Sequence, residues 1–108
     1  MPRWFIVPTA IIWAPIVEEL IFRGSLRRFI KNNKVFIVIS AVVFGILHTI
    51  VEATLTNVLF MAIPYMVIGG FFAYLYAKTE NICTNIFSHA FFNTIATIFM
   101  SFLFIGIF

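Results

Sequence analysis

Four long apolar runs parted by short polar stretches set the outline of this chain. The first, Trp4 to about Phe22, has 19 residues and no charge before Glu18. That is close to the roughly 20 residues a helix needs to cross the hydrocarbon of a bilayer. Val35 to Val51 is a second run, interrupted only by Ser40, His48 and Thr49, and Val58 to Ala77 a third without any charge. Ile82 to Phe108 is the fourth, long enough to span with tilt. The connections between them are Asn32-Asn33-Lys34, the stretch from Glu52 to Asn57, and Lys78-Thr79-Glu80-Asn81. Thr56 or Asn57 is expected to cap the third helix. From Gly24 the pattern changes, and Leu26, Phe29 and Ile30 alternate with Arg27, Arg28 and Lys31. This predicts a short amphipathic segment lying along the membrane surface. The expected fold is all-α: one membrane domain over 1–108, a polytopic bundle of about four spanning helices plus that interfacial segment.

Three local features refine the outline. Pro15 removes a backbone donor one turn before Glu18, which predicts a kink and a carbonyl left open toward the same region. Gly69, Ala73 and Ala77 recur every four residues, the stripe of small side chains that lets membrane helices approach closely. The first half of the fourth helix carries Thr84, Asn85, Ser88, His89, Asn93, Thr94 and Thr97, and its tail from Phe102 is apolar. It reads as a helix lining a cavity near one surface only.

Composition agrees. The chain is 63% hydrophobic and 10% charged, against about 25% charged in a soluble domain. Its net charge of +3 is concentrated in Arg27, Arg28, Lys31 and Lys34. Without aromatic interleaving or finger spacing this cluster marks a cytoplasmic, lipid-facing loop, not a nucleic-acid site. Lys78 lies on the same side and Glu52 on the other, while Arg3 is the lone contrary charge. The single Cys83 excludes an internal disulfide and a multi-cysteine metal site, and it reads as a passive residue near a helix end. No small-x-small cleavage site follows the first apolar run, which is expected to stay as a spanning helix.

The chemistry concentrates in Glu18-Glu19-x-x-x-Arg23. A carboxylate at membrane depth costs roughly 2.5–3.5 kcal/mol, so two in a row demand partners or a purpose. Glu19 and Arg23 stand four apart in the favourable order and are expected to pair, with Glu18 turned about 100° away. Two further pairs at the same spacing, Phe44-x-x-x-His48 and His89-x-x-x-Asn93, each share one helix face. Such a set suits addition of water to a carbonyl: a carboxylate takes the proton, an imidazole orients or shares it, and amide or imidazole donors hold the oxyanion. Depth is the obstacle. At about 1.5 Å per residue His89 stands roughly 10 Å in from the cytoplasmic turns and His48 roughly 20 Å, so their meeting requires tilt, a kink or a deeper start to the second helix.

These three patterns, in this order from Glu18 to Asn93, resemble the CPBP family of intramembrane endopeptidases, the CAAX prenyl proteases and bacteriocin-processing enzymes also called Abi proteins. In that family the first glutamate and the histidine of the second motif are taken to activate water, and the histidine and asparagine of the third to stabilise the oxyanion. The resemblance implies Glu18 as base, His48 as its partner and His89 with Asn93 as the oxyanion hole, with Glu19 and Arg23 shaping the site and Phe44 beneath His48. It also implies no cofactor, a peptide or membrane-protein substrate, and a bacterial cell membrane with the site open to the cytoplasm. Family members carry several helices before the double glutamate, so the chain corresponds to the C-terminal catalytic part: a fragment, a truncated paralogue, or a minimal form covered by a second copy in a homo-oligomer. Two other readings stay open. Glu18, His48 and His89 have the donor types of a three-ligand zinc site with an open fourth position. Some proteins resembling this family act without catalysis, in bacteriocin immunity or as regulators of membrane kinases.

The basic loop generates a topological prediction. A reporter fused after Phe108 should read as external, and Asn33→Cys should label only from the cytoplasmic side. The reverse labelling would overturn the orientation.

Overall fold

The computed structural model describes residues 3–50 and 54–103, and its regular structure is helical throughout. Helix α1 is Trp4–Phe29, α2 Asn33–Thr49, α3 Leu55–Thr79 and α4 Ile82–Leu103. The first, third and fourth are long and apolar enough to cross a membrane. Helix α2, with 17 residues, reaches about 25 Å at 1.5 Å per residue. The connection holding Glu52 and the tail beyond Leu103 lie outside the described residues.

Burial is inverted relative to a protein folded in water. Trp4, Phe29, Phe60, Phe87, Phe91 and Phe102 each expose between 70% and 84% of their surface, while Glu19, Arg23, Ser40, Thr49 and Asn85 are buried. Hydrocarbon as the surrounding medium accounts for both: apolar side chains need no cover there, and polar groups must find partners inside. The chain is an integral membrane helix bundle.

Helix ends follow local hydrogen bonding. Asn32 Oδ1 accepts from the Val35 N–H at 3.1 Å and starts α2 two residues before the apolar run. Helix α3 is capped by Thr54, whose Oγ1 accepts from the Asn57 N–H at 3.1 Å, so the expected caps Thr56 and Asn57 lie inside the helix. Thr54 alone has the extended backbone a cap requires, φ −130° and ψ 153°. Glu80, left-handed at φ 49°, closes α3. Asn81 Oδ1 then accepts from the N–H groups of Cys83 and Thr84 at the start of α4. The expected interfacial segment is not a separate piece: Leu26–Phe29 continues α1, which breaks only at Ile30.

Helix α1 stays continuous by widening twice into π-type turns, Thr9–Trp13 and Leu20–Ser25. In each, a carbonyl of α1 is bonded by a side chain from another helix. The Ala14 N–H bonds Thr9 O, and Pro15 has no N–H to offer, so Ala10 O is left open. Asn93 Nδ2, from α4, donates to it at 2.8 Å. In the second turn the Leu26 N–H reaches Arg23 O and Ile21 O and passes over Phe22 O. Ser40 Oγ, from α2, donates there at 3.2 Å. The expected open carbonyl near Pro15 is thus Ala10 O, and the two irregular turns tie α1 to its neighbours. An unpaired carbonyl in hydrocarbon costs several kcal/mol, which makes these side-chain bonds structural requirements.

Helices α2 and α3 pack antiparallel at close range. A Cβ at Gly45 would fall 2.9 Å from Ala62 O, and one at Gly69 2.9 Å from Phe44 Cβ. Gly69 and Ala73 are buried, so the small-residue stripe serves contact within the chain. Gly45→Ala should therefore force α2 and α3 apart at a cost of about 1–3 kcal/mol, seen as a lower unfolding midpoint in mild detergent. Gly70→Ala should shift the midpoint little, because its Cβ meets only Ala41 Cβ at 3.4 Å. Equal effects would contradict this packing.

Candidate active site

The second π-type turn and Pro15 bracket the stretch that carries both glutamates, and α1 presents them to α2 and α4. Glu19 is fully buried and its oxygens are filled from two helices. Oε1 lies 2.7 Å from His89 Nδ1 and 3.1 Å from Arg23 Nη1, and Oε2 accepts from Asn85 Nδ2 at 2.9 Å. The expected Glu19–Arg23 pair is therefore present, one turn apart on α1. Arg23 Nη2 donates to Gly69 O at 2.7 Å, and its guanidinium stands 4.9 Å from the Phe44 ring centre and 5.7 Å from that of Phe72. One backbone and two ring partners thus supplement the one carboxylate, as a buried cation requires. Asn85 Nδ2 also donates to Phe72 O at 2.7 Å.

Glu18 faces the other way and is partly open, with 24% of its side chain exposed. Oε1 lies 2.8 Å from His48 Nε2 and Oε2 3.2 Å from His89 Nε2. His89 consequently sits between the two carboxylates, Nδ1 toward Glu19 and Nε2 toward Glu18. Glu18 itself removes the depth obstacle by offering one oxygen to each imidazole. His48 contributes by leaning back toward the start of α2, as helical side chains do, with Nδ1 2.7 Å from Phe44 O. The earlier start of α2 would by itself have lengthened the gap.

Proton positions follow from these contacts. The Phe44 carbonyl only accepts, so His48 Nδ1 carries a hydrogen; Glu19, paired with Arg23, also accepts, so His89 Nδ1 carries one. The Nε2 of each imidazole is thus left to face Glu18, the member common to both contacts.

These groups border a cavity of about 160 Å³ lined by Glu18, Phe44, His48, Tyr65, Ile68, His89, Phe92 and Asn93. All four residues expected to act there reach it. Phe44 walls it beneath His48, with ring centres 4.0 Å apart. Asn93 has a second duty, since its amide holds Ala10 O, which leaves one N–H for the cavity. Sequence reasoning missed two members. Tyr65 of α3 stacks on His48 with ring centres 5.2 Å apart, and Asn85 closes the Glu19 carboxylate from below His89. Asn85 had a signal in the polar stripe of α4, four residues before His89; Tyr65 had none. As zinc ligands, Glu18, His48 and His89 are suitable in kind, each imidazole being held behind by an acceptor. In geometry they meet one another directly, and among the described residues no group of three or more His, Cys, Asp or Glu is arranged to hold a metal ion.

The likeness to known proteins agrees with this arrangement. The family described as type II CAAX prenyl endopeptidase Rce1-like matches residues 1–95. The chain is 40% identical over 103 residues to "Putative membrane peptidase YdiL" of Bacillus subtilis (strain 168), covering 91% of this chain and 37% of that protein. It is 37% identical over 97 residues to a Mycoplasma capricolum subsp. capricolum protein, covering 87% and 26%, and 29% identical over 79 residues to UPF0177 protein YxdF of Lactococcus lactis subsp. lactis (strain IL1403), covering 73% and 41%. It thus spans between 26% and 41% of the length of these relatives. No solved structure matches it. With a match over most of its length, and with both glutamates, both histidines and Asn93 gathered at one site, the chain belongs to the Rce1-like family of type II CAAX prenyl endopeptidases.

Proposed function

We propose that the chain carries the catalytic apparatus of an intramembrane peptidase, which hydrolyses a peptide bond with a water activated by Glu18, in a bacterial cell membrane and from a site open to the cytoplasm. The observation that supports this most is a carboxyl group set between two imidazoles at the rim of a cavity, each imidazole with its far nitrogen already occupied. In this reading the water oxygen adds to the peptide carbonyl carbon while its proton passes to Glu18. The carbonyl electron pair moves onto oxygen, where His89 Nε2–H and the remaining N–H of Asn93 donate to it. The intermediate then collapses, the C–N bond breaks, and the proton held by Glu18 goes to the leaving amine. His48 orients Glu18 and shares its proton. Glu19 keeps His89 protonated on Nδ1 and in place, and Arg23 and Asn85 hold Glu19. No step passes through a metal.

The test uses the chain reconstituted in vesicles, with internally quenched peptides that include a prenylated C-terminal CAAX sequence. Glu18→Gln, which keeps size and removes the base, should lower turnover by about 10²–10⁴. Asn93→Ala should lower it by about 10²–10³, with helicity checked because Ala10 O loses its partner. Chelators should leave the rate unchanged. Full turnover after Glu18→Gln would sink the proposal. Loss on chelation with recovery on added zinc would transfer the same residues to the zinc reading. If an immunity or regulatory role accounts for the protein, that role should survive both substitutions.

A further inference from the structure

A second cavity, of about 440 Å³, lies where α1 and α3 end and α4 begins. Its walls differ from those of the candidate active site. Arg27, Arg28 and Lys31 supply positive charge, Ser25 and Tyr76 supply hydroxyl groups, and Leu20 and Ile82 supply apolar surface. The three cations are not equivalent. Arg27 is anchored: it donates to Asn33 Oδ1 and to Ile30 O at 3.5 Å, and its guanidinium stands 4.9 Å from the Phe36 ring centre. Arg28 and Lys31 have no anionic partner among the described residues, and neither the Ser25 nor the Tyr76 hydroxyl makes a hydrogen bond there. Arg28, Lys31 and Ser25 are exposed, so their polar ends are open to an anion that enters the concavity. The apolar flank makes the same cavity a poor place for a fully hydrated ion. A basic pocket between membrane helices, at the end of the bundle where the positive charge is concentrated, has the character of a site for an anionic headgroup.

We propose that this cavity binds a phosphate ester, its phosphate held by Arg28, Lys31 and the hydroxyl of Ser25, and its apolar part laid along Leu20 and Ile82. The chemistry is that of an anionic phospholipid headgroup, and a soluble phosphate ester shares the charged half. The site is independent of the peptidase reading, because none of these residues lines the Glu18 cavity.

The experiment titrates the purified chain, in a neutral detergent, with phosphatidylglycerol and follows the unfolding midpoint. The midpoint should rise and saturate with phosphatidylglycerol and stay level with phosphatidylcholine. In the Arg28→Gln/Lys31→Gln pair the half-saturating concentration should increase roughly 25-fold, at about fivefold for each basic residue. The single substitutions serve if the pair does not fold. Lys34→Gln/Lys78→Gln, which leaves the net charge equally reduced but lies outside the cavity, should titrate like the parent. A rise given also by glycerol phosphate, and lost in the Arg28/Lys31 pair, supports the site with a soluble ester as its ligand; a rise given by the lipid alone assigns it to the headgroup. The proposal is overturned if the Arg28/Lys31 pair titrates like the parent, if the Lys34/Lys78 pair loses as much, if phosphatidylcholine acts equally, or if no phosphate compound moves the midpoint.

Discussion

A carboxylate with no access to solvent has to be neutralised and have its lone pairs filled, and Glu19 imposes that requirement on the whole bundle. The partners come from α1 and α4: Arg23 from its own helix, His89 and Asn85 from the fourth. Arg23 in turn draws on α3 through Gly69 O. Removing one partner of a buried ion pair typically costs about 3–5 kcal/mol, because the other charge is left stranded. The relative positions of three helices therefore follow from satisfying one side chain. Phe44 and Phe72 complete the enclosure, their ring faces turned to the guanidinium.

The same enclosure fixes the geometry next door. Because Glu19 holds His89 Nδ1, the opposite nitrogen points to Glu18; because Phe44 O holds His48 Nδ1, so does the second imidazole. Adjacent glutamates thus divide the work by direction alone, one turned into the core and one to the cavity. The irregular turns of α1 are part of this arrangement. They set Glu18 and Glu19 between two widened stretches, and the carbonyls they release are bonded by Asn93 and Ser40. Asn93 consequently joins the cavity to the helix that carries the glutamates.

The spans were legible because four apolar runs of membrane length leave few alternatives, and the Glu19–Arg23 pair because four residues is one helical turn. The three motifs mark Glu18, His48, His89 and Asn93 in the sequence, and the fold brings all four to one cavity. What escaped was set by contacts remote in sequence. Asn85 reaches Glu19 across 66 residues, and Ser40 reaches Phe22 O across 18; a single polar residue in an apolar helix carries no mark of its partner. Tyr65 is an aromatic among many until it stacks on His48. Thr54, Thr56 and Asn57 are all good caps by type, and only backbone conformation selects Thr54. Pro15 announced the first irregular turn, while the second had no comparable signal beyond Gly24. The end of α1 was misplaced for that reason: a helix that widens at Leu20–Ser25 passes Gly24 without breaking.

The central claim is that Glu19 holds the bundle together and Glu18 does not. Unfolding midpoints of the parent, Glu19→Gln and Glu18→Gln, measured side by side in the same mild detergent, test it directly. Glu19→Gln should lose about 3–5 kcal/mol, the cost of stranding a buried partner, while Glu18→Gln should remain near the parent. Equal losses, or a larger loss at Glu18, would contradict the account.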